Sequence, residues 1–289
     1  MRMSKTAKQP KTNVPPILHA VAASPRPRFD NPPRINGSVL VLPDVELPFH
    51  NAPFLNNVIM LARAQGVRQL ILDGDFMHNA SFAYFAGSEK EADQELSEVE
   101  ELVYPFFANF DAVYWLSGNH DTRIQKMLDR LISMERIARM IVPPEHAAEF
   151  YRKVKIFDHF WCKVGSEWQI HHPNVKGAQI PARTATWIAE KNDCNVGQGH
   201  VHLFGTAQTR NGKWMGIDIG VGVDVRRLAY QNLRHSTHPN GVAGALILRE
   251  RDGKYYPQHV SQRFTDFEYE LWLWQNARQF AEKQGRKEN

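Results

Sequence analysis

Apolar residues along this chain keep two rhythms. Short unbroken runs appear first in SVLVLPD at 38–44, RQLILDGD at 68–75 and AVYWLSGNHD at 112–121. Each run is too short for an ordinary helix and stops at Pro, Gly or Asp, which predicts strands buried on both faces. Between them the apolar positions recur at helical spacing. PFLNNVIMLARAQG at 53–66 has Pro near its start and Gly at its end, and the charged stretch 88–107 is amphipathic. A further helical pattern covers 122–140. Strand, helix, strand, helix, strand, helix predicts βαβ units and a largely parallel sheet.

The rhythm changes in the second half. KIFDHFWCKV, EWQIHHP, CNVGQGHVH, KWMGIDIGVGVD and GALILRERDGKYY read as short strands separated by turns, with one helix, IPARTATWIAEK, among them. Residues 1–36 are rich in Pro, Lys and Arg without periodicity, so they read as a disordered tail. Residues 37–265 read as one domain without an internal repeat or a clear linker. Residues 266–289 read as a closing helix, packed on its own domain or serving as a partner helix.

Composition narrows the picture modestly. A chain of 289 residues with 43% apolar positions can build one large domain or two small ones. The net charge of +4 and pI near 9.0 leave a polyanionic partner open, with much of the excess in the tails. Two cysteines make no disulfide framework and fit a reducing compartment, so a cytoplasmic location is expected. No apolar run approaches the ~18 residues of a membrane span, and no membrane partner is expected.

Chemistry gathers where the strands stop, which is where open α/β sheets bind ligands. The first strand ends in Asp44 with Glu46 two residues on. The second ends in Asp73-Gly74-Asp75, the third in Gly118-Asn119-His120-Asp121, and a later one in His171-His172-Pro173. The segment Gly199-His200-Val201-His202 sets two imidazoles two residues apart, a spacing that shares one face on an extended backbone. Five of the 13 histidines fall in these segments. Singly, each residue has an ordinary use as a turn former, a helix cap or a polar strand end. Their joint appearance after apolar strands is what chance does not explain.

In this order the segments DVE, GDFMH, GNHD, HHP and GHVH resemble the calcineurin-like metallophosphoesterases. That family's pattern runs D-x-H, G-D-x-x-D, G-N-H-D/E, an isolated H, and G-H-x-H. The resemblance spans about residues 38–225, and LPFHN and HHPN look most like the phage and prophage branch. It implies an α/β fold of metallophosphoesterase type, a four-layer sandwich of two mixed β-sheets flanked by helices. It implies hydrolysis of a phosphomonoester or phosphodiester by a hydroxide bridging two divalent cations, with nucleotide or nucleic-acid substrates favoured. A relative that binds metal, phosphate or a partner without turnover is the alternative.

Carried over position by position, the resemblance implies that Asp75 bridges both cations. Asp44 and His202 complete one site; Asn119, His200 and His172 complete the other, with His171 as the alternative to His172. His120 becomes the general acid or charge stabiliser, with Asp121 holding its ring, and Arg123 a phosphate contact. Two positions depart from the pattern. Glu46 stands where the first histidine is expected, and a carboxylate there favours Mn²⁺ or Mg²⁺ over softer-site metals, with Fe, Ni and Zn still open. Should Glu46 turn away, His50 or a water would fill the gap. His78 stands where an acid is usual and is expected to support the site or face substrate. The oligomeric state is not legible. A phage-encoded chain would act in its host's cytoplasm.

Overall fold

The computed structural model describes residues 32–82, 89–128, 132–173, 180–228 and 241–266. Most of the expected N-terminal tail and nearly all of the expected C-terminal helix lie outside the described residues. Two short residues of that tail segment, Arg34–Ile35, form strand β1.

Strands β2 (Val39–Pro43), β3 (Gln69–Asp73), β4 (Ala112–Leu116) and β5 (Val154–Phe157) lie parallel in that order. The hairpin of β11 (Gly244–Arg251) and β12 (Lys254–Ser261) extends the same sheet antiparallel beside β2. The run GALILRERDGKYY is therefore two strands turned at Asp252-Gly253, not one. The second sheet takes the order β1, β6 (Trp161–Val164), β7 (Trp168–His171), β8 (Asn195–Gln198), β10 (Met215–Ile219), β9 (Phe204–Gln208). KIFDHFWCKV thus supplies β5 to one sheet and β6 to the other, the crossover falling at 158–160.

Period-two alternation explains the layering. On the first sheet Leu40, Leu42, Leu70, Leu72, Val113 and Trp115 face helices α1 (Ala52–Ala64), α2 (Glu89–Ala108), α4 (Met134–Met140) and α5 (Pro144–Lys153). The intervening Val39, Val41, Ile71 and Leu116 face the second sheet, where they meet Cys162, Val164, Ile170 and Ile217. The outer face of the second sheet is covered by α6 (Arg183–Asn192) through Ala185, Ile188 and Ala189 on Val196. Helices, sheet, sheet, helix is the four-layer α/β sandwich expected, with both sheets mixed.

Local chemistry sets the element ends. Asn51 caps α1 by accepting from the Phe54 amide at 3.3 Å, and Pro53 occupies its first turn. The helical pattern read over 122–140 is two helices, α3 (Arg123–Met127) and α4, the second capped by the Ser133 hydroxyl, which accepts from the Arg136 amide. Helix α5, opened by Pro143-Pro144, was not read from the sequence. Among the described residues no helix is long and apolar enough to cross a membrane.

Candidate metal centre between the sheet ends

The parallel strands β2, β3 and β4 deliver their C-terminal loops to one edge, beside the ends of β7 and β8. The loops after β2 and β3 are zipped together by Glu46 N to Asp75 O at 2.9 Å, Leu47 N to Phe76 O at 2.8 Å and His78 N to Leu47 O at 2.9 Å. Asp44, Glu46, Asp75, His200 and His202 all adopt positive φ, between 46° and 70°. The left-handed region costs a non-glycine residue about 1–2 kcal/mol, and such outliers gather at functional sites. His200 and His202 are therefore not on an extended strand as their spacing suggested. They lie in a left-handed loop after β8, and the loop rather than strand pleating turns them inward.

The structure brings most of the sequence candidates together. Donor atoms of Asp75, His172 and His200 lie within 4.8 Å of one another, and so do those of Asp44, Glu46 and His202. Asn119 joins the first group, its Oδ1 lying 3.4 Å from His172 Nε2. His172 is fully buried and its Nδ1 donates to the Asp73 carbonyl at 2.8 Å. That bond orients the ring so that Nε2 faces Asp75 Oδ2, 3.3 Å away. His171 faces the other way, with Nε2 on Gln169 and its ring stacked on Trp161. His50 stays outside too, paired with the Pro48 carbonyl. Glu46 itself turns inward and is fully buried.

Close approach depends on two glycines. A Cβ on Gly118 would collide with the Asp75 amide and Oδ1, and one on Gly74, at φ +68°, would enter the His172 ring. Both residues of the G-D and G-N-H motifs are thus spacers for the carboxylate and the imidazole beside them.

A cation fits the donors. Asp44 Oδ1 and Glu46 Oε1 are buried without a hydrogen-bond partner, at 3.3 and 3.5 Å from His202 Nε2. Buried acceptors rarely go unpaired; three converging lone-pair atoms need a cation or a proton. Without a metal the protons go to imidazole. Burial lowers the affinity of His202 for its proton, but Asp44 and Glu46 outweigh it and raise the pKa to about 9. His172 is likewise raised, burial being overcome chiefly by Asp75. Burial pushes Glu46 up, yet His120 and His78 bring it down to about 2. His200 is lowered, by burial and by the neighbouring His172.

His120 is held by its own amide, which donates to Asp75 Oδ1 at 2.7 Å. Its ring places Nε2 3.8 Å from Asp75 Oδ2 and Nδ1 3.4 Å from Glu46 Oε2. Asp121 was expected to hold that ring and does not. Its Oδ1 accepts from the Met77 amide at 3.0 Å and its Oδ2 from the Gly118 amide at 2.9 Å, so it ties two loops. Burial and the nearby Asp75 raise its pKa to about 6. Arg123 donates to the His78 carbonyl at 2.7 Å. Asp73 had no role assigned from sequence. Its Oδ2 accepts from the Gly199 amide at 3.0 Å, joining the two sheets; its place as the last residue of an alternating strand was the available signal.

The family model described as calcineurin-like phosphoesterase matches residues 38–220. No curated protein matches the chain. Among solved structures, vacuolar protein sorting 29 from Cryptosporidium parvum aligns at 16% identity with a TM-score of 0.37, over 78% of this chain and 97% of that one. Wild-type Vps29 complexed with Zn²⁺ from Entamoeba histolytica aligns at 14% identity with a TM-score of 0.35, over 78% of this chain and 99% of that one.

Proposed function

This chain belongs to the calcineurin-like phosphoesterase family, and from that premise we propose that it hydrolyses a phosphomonoester or phosphodiester with two divalent cations. One observation carries the reading: donors scattered from Asp44 to His202 converge, Asp75 with His172 and His200 and Asp44 with Glu46 and His202, each set within 4.8 Å. Asp75, Asn119, His172 and His200 would hold one cation and Asp44, Glu46 and His202 the other, with Asp75 shared between them.

When bound, two divalent cations supply Lewis acidity and bring the proton loss of a water near neutrality. The chain's own groups do the rest. His120 stands over Asp75 and Glu46, where its imidazole would give a proton to a departing oxygen. Asp121 keeps the Gly118 turn and the Met77 segment in register, which fixes where His120 stands. Arg123, whose guanidinium donates to the His78 carbonyl, would be the phosphate contact.

The finer parts of the proposal rest on composition and donor type. A net charge of +4 favours polyanionic substrates, nucleotides or nucleic acid among them. Glu46 adds a third carboxylate, and oxygen-rich sites favour Mn²⁺, with Mg²⁺, Fe, Ni and Zn as alternatives. The buried free thiols Cys162 and Cys194 fit action in a reducing cytoplasm, that of a host if the chain is phage-encoded. Glu46 also supports a second reading, a relative that binds cations without turnover.

The test is hydrolysis of p-nitrophenyl phosphate beside bis-p-nitrophenyl phosphate by chelator-stripped protein with added Mn²⁺. The proposal expects turnover that is lost in Asp75→Asn and that falls ~10²–10⁴-fold in His120→Ala. Binding of Mn²⁺, Mg²⁺, Fe²⁺, Ni²⁺ or Zn²⁺ with no turnover from any of them would install the second reading instead.

A further inference from the structure

Two departures from the family pattern occur in this chain, and the fold puts them in contact. Glu46 stands where a histidine is usual and His78 where an acid is usual, so the two residue types have changed places. In the structure His78 Nδ1 meets Glu46 Oε2. Both side chains are buried, Glu46 at 0% and His78 at 7% exposure. The parallel backbone zipper between 44–47 and 74–78 holds them in register. Phe49 packs edge-on against the His78 ring at 4.9 Å and the His120 ring lies at 5.2 Å, which restricts its rotation.

The two Glu46 oxygens have different surroundings. Oε2 is taken by His78, with His120 beyond it at 3.4 Å. Oε1 has no hydrogen-bond partner and faces His202 Nε2 at 3.5 Å, beside the equally unpartnered Asp44 Oδ1. A carboxylate fixed at one oxygen and bare at the other is what a monodentate cation ligand needs from its support.

Glu46, His78 and His120 also bring donor atoms within 4.8 Å of one another, so a third cation among them is the rival explanation. Charge decides against it. Asp44, Glu46 and Asp75 supply three negative charges, which two divalent cations already exceed. A third divalent ion in the same buried space would add repulsion, and Glu46 is the one carboxylate in that donor group.

We propose that Glu46 and His78 are an exchanged pair in which His78 is a positioning residue. It donates to Glu46 Oε2 and thereby presents Oε1 to the cation shared with Asp44 and His202. The proposal rests on the two-cation reading above and adds a residue to its support. It also predicts that neither departure works alone: Glu46 without His78 is an ill-held ligand, and His78 without Glu46 has nothing to hold.

Isothermal titration of the chelator-stripped full chain with Mn²⁺ tests this without reference to turnover. His78→Ala is expected to weaken Mn²⁺ binding ~10–100-fold. His78→Asn, whose amide keeps a donor near the Nδ1 position, retains most of the affinity. In a Glu46→Ala background the His78→Ala change has no further effect, because there is no carboxylate left to position. Should His78→Ala fail to fold, His78→Phe keeps the packing against Phe49, lacks the donor, and carries the same expectation. Wild-type affinity in both donor-less variants, or the same loss in the Glu46→Ala background, would overturn the proposal. Wild-type protein that binds no Mn²⁺ would remove the two-cation reading as well; wild-type binding and turnover with an uncoupled cycle would remove this one alone.

Discussion

The two sheets are tied at two places by histidines, and the ties work in opposite ways. At the strand ends His172 and His202 reach from the second sheet towards Asp75, Asp44 and Glu46 on the first. Elsewhere His259, on β12 of the first sheet, reaches across to the second. Its Nε2 donates to the Ile219 carbonyl at 3.1 Å, its Nδ1 faces the Thr206 hydroxyl at 3.2 Å, and its ring stacks on Phe204 at 3.7 Å. Burial opposes the charged form of all three imidazoles. Three carboxylates overturn that at the first tie, bringing His202 to about 9. At the second, burial takes His259 to about 4 despite the Ile219 bond. Neighbours, not depth, decide which histidines carry charge. The first tie calls for positive charge to complete it and the second for its absence.

Removing cations should weaken the first tie and leave the second. Saturating divalent cation at about 100 times its dissociation constant stabilises a folded chain by ~2.7 kcal/mol. Chelation is therefore expected to lower the melting temperature by several degrees, and re-addition of Mn²⁺ to restore it. A melting temperature indifferent to chelator would separate the sheet junction from cation binding.

A methyl group at Gly118 is the next largest perturbation. Gly118→Ala drives a Cβ into Asp75 on the carboxylate side, with an expected loss of ~1–3 kcal/mol in denaturant unfolding and weaker Mn²⁺ binding. Unchanged stability and affinity would mean that the loop relaxes freely, and that the glycine is not a spacer.

The smallest effect sharpens the second tie. The folded pKa of His259 lies below its unfolded value of about 6.5. Its contribution is present above that pH and is lost as pH falls through about 4. The size is on the order of 1 kcal/mol after discounting for a partly exposed ring. Part of the acid destabilisation between pH 6.5 and 4 should disappear in His259→Gln. An identical acid limb in the variant would show that this imidazole is not kept neutral by the fold.

Much of this was legible in the sequence because the chemistry follows directly on the strands. VLVLP, QLILD and AVYWL announce themselves as buried strands, and Asp44, Asp75 and Asn119 come within three residues of their ends. What a linear pattern does not carry is backbone handedness and pairing between distant segments. His200 and His202 looked like one face of a strand, yet left-handed φ values turn them inward. Asp121 looked like a partner for the adjacent His120 ring, but two backbone amides without other acceptors claimed both its oxygens. The Glu46–His78 contact spans 32 positions and depends on a loop zipper that side-chain periodicity does not record. The division of 155–164 between two sheets has no local mark in the sequence, because the crossover at 158–160 lacks Gly and Pro.

The most direct test of the account is the number of cations held per chain, measured by equilibrium dialysis with Mn²⁺ and elemental analysis of the full-length protein. Two per chain are predicted, with fewer in Asp75→Asn on one sheet and fewer again in His172→Ala on the other, all variants remaining folded. A folded wild-type chain that takes up none, or variants that still take up two, would contradict it.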